Sequence, residues 1–155
     1  MAKTALKVGV KAPDFTLLDA NGTEVSLKDF KGQSVLIYFY PKANTPGCTI
    51  EACEFRNLHP KFVKQDVTIL GVSADPPKML AGFIAKQKLN FTLLSDPSHK
   101  MIEAYGAWRM KRFMGREFMG IVRSSYLVGP DGKIHQVWES VKAKGHAAEV
   151  LAVAK

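Results

Sequence analysis

Cys48 and Cys53 are the two thiols of this 155-residue chain. A cysteine attacks as a thiolate, and a thiolate forms most readily where positive charge or free N–H groups face the sulfur. The residues in front of Cys48 provide such a place. Thr45 reads as a helix N-cap and Pro46 as the first helical residue, where the N–H that proline lacks would be unpaired anyway. Gly47 is then second in the helix and Cys48 third. Unpaired N–H groups and the positive end of the helix dipole gather in that first turn. Position alone leaves two readings of Cys48 even: a reactive thiolate, or a small buried apolar residue, the usual fate of a free cysteine. Cys53, further along the same helix, has the same bland alternative.

The helix start needs a rigid support. Ser34-Val35-Leu36-Ile37-Tyr38-Phe39-Tyr40 is a continuous apolar run of β-branched and aromatic residues. It suits a central strand covered on both faces. Pro41 ends it, and Lys42-Ala43-Asn44 makes a short polar turn into Thr45.

The stretch Tyr40-Pro41-Lys42-Ala43-Asn44-Thr45-Pro46-Gly47-Cys48-Thr49-Ile50-Glu51-Ala52-Cys53 resembles the active-site segment of the peroxiredoxins. More narrowly, it resembles the PrxQ or bacterioferritin-comigratory-protein branch, whose pattern of proline, threonine and cysteine is matched by Pro41, Thr45 and Cys48. The likeness extends from about residue 12 to the C-terminus. It implies that Cys48 is the peroxidatic nucleophile and Cys53 the resolving cysteine. It also implies that Thr45 donates its hydroxyl to a peroxide and that Pro41 shields the thiol from water. Gly47 lends N–H groups to the peroxide together with Cys48 itself. Arg123 is implied to stabilise thiolate and peroxide; without the resemblance it reads as an arginine snorkelling from a strand end. Glu51, one turn beyond Cys48, either holds Arg123 or is a solvated helix carboxylate.

The implied protein is a thiol peroxidase with a thioredoxin-like α/β fold, a central mixed sheet flanked by helices and an N-terminal β-hairpin, in one domain over residues 1–155. It reduces hydrogen peroxide or organic hydroperoxides through a Cys48 sulfenic acid and a Cys48–Cys53 disulfide. Thioredoxin or a similar dithiol protein recycles it. No metal, haem or flavin is called for, and a monomer is the implied state. A thioredoxin-type disulfide oxidoreductase is a rival, but it wants two residues between its cysteines and this chain has four. A non-enzymatic binding module or holdase on the same fold is the other.

Helix geometry sets a condition on the chemistry. Five residues of regular helix rise about 7.5 Å and leave the two side chains roughly 140° apart, with Cα atoms about 8.6 Å from each other. A disulfide needs Cα atoms within about 7 Å. The first turns from Pro46 must therefore unwind before the cysteines can bond.

Apolar content of 46% and charged content of 23% are ordinary for a globular protein. The net charge of +8 is spread along the chain, and the densest run is Arg109 to Arg116. With no zinc-finger spacing and no RNA-binding aromatic motif, no nucleic-acid partner is expected. No apolar run reaches the length of a membrane span, so no membrane partner is expected either. Residues 1–6 lack a secretory pattern, which points to the cytoplasm, where paired cysteines are more often catalytic than structural.

Residues 13–18 and 23–27 read as two strands joined by the turn Asp19-Ala20-Asn21-Gly22, and residues 28–32 as a short helical connection. The helix from Pro46 is expected to reach about Lys64, with a break or bend before Pro60. Residues 67–73 form a second apolar strand, and a helix follows Asp75-Pro76-Pro77 as far as Lys88. Then come a strand at 91–94, a helix at 97–105 and an irregular, Met- and Arg-rich stretch at 106–120. That stretch, from Trp108 to Met119, reads as a long loop packed by its own aromatics. One strand is expected over 121–128, where alternation puts Arg123 on the face of Ile121, Ser125 and Leu127. A turn at Gly129-Pro130-Asp131-Gly132, a strand at 133–139 and a helix at 145–154 close the chain. His59, His99, His135 and His146 show no metal-ligand spacing and read as surface or capping residues.

Overall fold

The computed structural model describes residues 6–154. The reading of Met1 to Ala5 lies outside them. Ser34–Phe39 is the central strand, β3 in chain order, and every one of its residues is buried. Its side chains divide by the two-residue period of a strand. Leu36 and Tyr38 join a core beneath Phe55, Phe62 and Val150, while Val35, Ile37 and Phe39 join a second core with Tyr105 and Tyr126. That two-sided burial explains the unbroken apolar run.

The remaining strands are β1 (Thr16–Asp19), β2 (Glu24–Ser26), β4 (Val67–Ser73), β5 (Thr92–Ser95), β6 (Trp108–Phe113), β7 (Arg116–Ile121), β8 (Ser124–Val128) and β9 (Ile134–Trp138). Seven strands form one mixed sheet in the order β2-β1-β5-β4-β3-β8-β9. β3, β4 and β5 run parallel, and β1, β8 and the edge strands pair antiparallel. The helices are α1 (Pro46–Lys64), α2 (Pro77–Gln87), α3 (Lys100–Ala104) and α4 (His146–Val153). α1, α2 and α4 cover the first core, and α3 covers the second. This is the thioredoxin-like arrangement, with β1 and β2 as the N-terminal hairpin.

Four expectations are corrected. α1 runs through Pro60 without a break. A proline inside a helix leaves the carbonyl four residues earlier without its partner. Asn90 Nδ2 donates to that carbonyl, Arg56 O, at 3.2 Å. The helix therefore continues with its lost bond replaced from outside.

Residues 106–120 are not irregular. β6 and β7 form a separate two-stranded hairpin, paired from Trp108–Ile121 to Phe113–Arg116. Its turn is Met114-Gly115, with φ of 51° and 78°. Two successive positive φ values are what a tight two-residue hairpin requires. The aromatics do not pack the stretch from within, since Phe113 and Phe118 are exposed.

The strand expected over 121–128 is broken at Val122 and Arg123. The backbone changes partners there. Val122 N–H donates to Ala107 O at 2.8 Å, and Arg123 O accepts from Val141 N–H at 3.0 Å. α3 also starts at Lys100 rather than at Pro97, with Asp96 Oδ2 accepting the Ile102 N–H at 2.9 Å.

Candidate active site

The loop leaving β3 is tied down before it reaches the helix. Asp75 Oδ2 accepts the Ala43 N–H at 2.8 Å and the Ser73 hydroxyl at 2.8 Å. Asp75 is buried. The end of β4 thereby fixes residues 41–45. Thr45 takes the extended backbone of an N-cap, and Pro46 opens α1. The Thr45 side chain does not cap. Its hydroxyl donates to Lys42 O at 2.7 Å, so the proton expected to face a peroxide is committed to the loop. Pro46 carries no N–H, and the first bond of the helix runs from Thr49 N–H to Thr45 O at 2.9 Å. The N–H groups of Gly47 and Cys48 are the orphan donors of this turn, with no capping side chain on them.

Cys48 is 2% exposed and packs in the core with Tyr40, Ala43 and Ala52. Arg123 joins it to Glu51. One arm of the guanidinium, Nη2, donates to Cys48 Sγ at 3.4 Å, and the other, Nη1, donates to Glu51 Oε1 at 2.6 Å. Glu51 lies three residues after Cys48, on the same helix face. Gly47 makes room for the fork: a Cβ there would sit 3.0 Å from Arg123 Nη2. Arg123 does share the face of Ser125 and Leu127. Ile121 lies in the opposite core, because the break at Val122 and Arg123 resets the alternation.

Burial sets the charges. Glu51 is fully buried, and its Oε2 has no hydrogen-bond partner among the described residues. Desolvation pushes its carboxyl up to about 7, against the pull of Arg123. Burial works against the Arg123 charge too, but Glu51 and Cys48 outweigh it and hold the guanidinium above its ordinary value. A half-buried arginine with two acidic partners is a fixed positive charge beside the sulfur.

Pro41 is half-buried between β3 and this loop. Cys53 stands apart. It is half-exposed and turned toward α2, where its thiol donates to Gln87 Oε1 at 3.5 Å. Both cysteines are free thiols within one unbroken helix. The geometry thus gathers Gly47, Cys48, Glu51 and Arg123 and leaves Cys53 on another helix face. No described group of three or more His, Cys, Asp or Glu is placed to hold a metal ion.

Sequence reasoning missed several supporting residues. Asp75 read only as the start of a helix. His146 is buried rather than superficial. Its Nε2 meets Ser125 Oγ at 2.7 Å and its Nδ1 meets Glu149 Oε1 at 3.0 Å, which fastens α4 to β8 two residues from Arg123. Desolvation lowers the His146 pKa. Lys111 is the third. Its Nζ donates to Ile121 O at 2.8 Å, just before the break that carries Arg123. Burial, then repulsion from Arg123, lowers its pKa, while Cys48 raises it. The signal for Lys111 was its place in the densest basic run; for the other two there was none beyond a polar residue beside an apolar strand.

Comparison with known proteins agrees with this fold. Residues 8–137 match the family model described as the AhpC/TSA family. The chain belongs to that family of peroxiredoxins, the class of thiol-dependent peroxidases. Its relatives place it in the Bcp or PrxQ branch. It is 52% identical to the putative peroxiredoxin bcp of Haemophilus influenzae and 49% identical to the peroxiredoxin Bcp of Escherichia coli, over 94% of each chain in both cases. Among solved structures it resembles the bacterioferritin comigratory protein of Xanthomonas campestris, with a TM-score of 0.88, 38% identity and coverage of 98% of this chain and 97% of the other. It also resembles a PrxQ of Xylella fastidiosa, with a TM-score of 0.91, 35% identity and coverage of 97% and 96%.

Proposed function

We propose that Cys48 is the peroxidatic nucleophile and Cys53 the resolving thiol of a cycle driven by peroxides. The observation that carries this reading is the Arg123 fork, which donates at once to Cys48 Sγ and to Glu51. A positive charge fixed on the sulfur favours the thiolate and faces the charge that develops when the O–O bond breaks. In the first step the thiolate electron pair forms an S–O bond to the terminal peroxide oxygen. The O–O bond breaks toward the distal oxygen, which leaves as alkoxide or hydroxide and takes a proton. Gly47 and Cys48 N–H groups and Arg123 stabilise the reacting oxygens. Thr45, whose proton points at Lys42 O, accepts a hydrogen bond from the peroxide through its lone pairs rather than donating one. Pro41 keeps water from the sulfur.

Cys48 is then a sulfenic acid. The first turns of α1 unwind, the Cys53 thiolate attacks the Cys48 sulfur, a disulfide forms and water leaves. A thioredoxin-type dithiol donates two electrons by exchange. Reduction of alkyl peroxides is the activity at issue in the structure of the Xanthomonas protein, and organic hydroperoxides as well as hydrogen peroxide are proposed here. The chain is read as one domain acting as a monomer in the cytoplasm. The two cores on either side of a single sheet support the first point, and the need to keep both thiols reduced supports the compartment. No described helix is long and apolar enough to cross a membrane.

The test is peroxide consumption coupled to a dithiol reductant at catalytic enzyme concentration, with intact mass after one equivalent of peroxide. Sustained turnover and a mass loss of two hydrogens are expected. No turnover would return the chain to the holdase reading. Dithiol oxidation that ignores peroxide would return it to the oxidoreductase reading.

A further inference from the structure

The β6–β7 hairpin is a small sheet of its own, standing outside the seven-stranded one. Its root is fixed. Arg109 donates to Glu139 O, and Lys111 donates to Ile121 O at 2.8 Å. Its tip is bare. Phe113 is 67% exposed and Met114 85%, with Met110 and Phe118 also open to solvent. Isolated exposed apolar residues need no explanation, but Phe113, Met114 and Phe118 gather at the tip and on one face of the hairpin and form a patch, while Met110 lies on the other face. Four cations and one carboxylate, Glu117, lie among them. Arg112 pairs with Glu117, and Arg116, beside the tip, has no ion-pair partner among the described residues.

The composition favours a protein partner over a lipid one. Aromatic residues, methionine and arginine are the types enriched at protein interfaces, while lysine, glutamate, aspartate, serine and alanine are depleted there. Of those depleted types the hairpin holds two, Lys111, which is partly buried, and Glu117, which is paired with Arg112. Its size argues further. One hairpin cannot make the broad contact of a permanent complex, but transient redox encounters use small ones. Its position completes the case. The strand pairing puts Lys111 and Phe118 on one face with Phe113 and Arg116, and Lys111 Nζ reaches Ile121 O, two residues before Arg123.

We propose that this hairpin is the docking surface for the dithiol reductant, a protein that surrounds its exposed thiol with an apolar patch and carboxylates. The proposal rests on the disulfide cycle above. Docking there presents the reductant's thiolate to the Cys48–Cys53 disulfide. That thiolate attacks one sulfur, the other cysteine leaves as a thiolate, and the reductant's second thiol closes its own disulfide.

The test compares two reductants of the oxidised protein, a bacterial thioredoxin and dithiothreitol, by stopped-flow fluorescence. The variants are Phe113→Thr with Met114→Asn, where asparagine tolerates the left-handed turn, and Arg112→Glu with Arg116→Glu. In each, the second-order rate with thioredoxin should fall by roughly tenfold or more, the loss of a contact hot spot. The rate with dithiothreitol and the rate of the peroxide step should not change. The wild-type rate with thioredoxin should fall with salt, and that of the charge variant should be nearly flat. Equal losses with both reductants, or no loss with thioredoxin, would overturn the proposal. So would hairpin-dependent sedimentation on anionic phosphatidylglycerol vesicles with the thioredoxin rate unmoved. If peroxide forms no disulfide at all, it is the catalytic cycle that fails, not the docking surface.

Discussion

Cys48 and Cys53 sit five residues apart on one helix, in opposite kinds of surroundings. Around Cys48 the first turn has orphan donors, a buried carboxylate, and an arginine that donates to that carboxylate and to the sulfur. Around Cys53 there is one weak contact to Gln87 and access to solvent. In the proposed cycle one thiol is prepared before the substrate arrives, and the other stays accessible and does not react until the helix opens. The difference teaches that a single helix can hold both thiols of a cycle without letting them react early, because helix geometry itself keeps them apart.

The contrast can be broken thiol by thiol. Cys48→Ser should abolish peroxide consumption. Cys53→Ser should leave one rapid turnover and no disulfide, measured by rapid-quench peroxide assay and intact mass. Equal losses in the first turnover would show that the two sites are not divided in this way.

Arg123→Ala should slow the peroxide step by about 100-fold or more, the usual effect of losing a donor to a developing oxyanion. Gly47→Ala should give a smaller loss in the same assay. Its Cβ pushes on Arg123 Nη2, while alanine is the better helix former, so the melting temperature should not fall. A rate unchanged by Gly47→Ala would mean that the position of the guanidinium is not critical.

The smallest expected effect is on stability. Glu51 titrates at about 7 in the fold against 4.5 ordinarily. Between those values the folded protein keeps a proton that the unfolded chain has released. Its contribution to stability is therefore full below pH 4.5 and is lost as pH rises through about 7. Glu51→Gln removes that slope. Its melting temperature relative to wild type should be higher at pH 8 than at pH 5, by thermal denaturation. The opposite slope would mean that Arg123 holds Glu51 ionised throughout.

The first of these two surroundings was largely legible. The apolar run of β3, the proline and threonine before the helix and the spacing of the cysteines are local signals. They gave the strand, the N-cap and the thiol positions directly. What could not be read was long-range. Alternation along 121–128 cannot show that the backbone trades Ala107 for Val141 at Val122 and Arg123. The same blindness hid Asp75, His146 and Asn90, each a polar residue whose partner is supplied by another element. The hairpin was missed for a different reason. Its turn is Met114-Gly115, and methionine is not a residue that announces a positive φ.

The opening of α1 is the central claim, and hydrogen exchange tests it most directly. Amide exchange from Thr45 to Cys53 is measured in the reduced protein and again after one equivalent of peroxide, with the disulfide confirmed by mass. Protected amides in the reduced form and rapid exchange in the disulfide form are expected, while α2 and the sheet stay as they were. A Cys48–Cys53 disulfide in a segment as protected as before would contradict the opening of the helix.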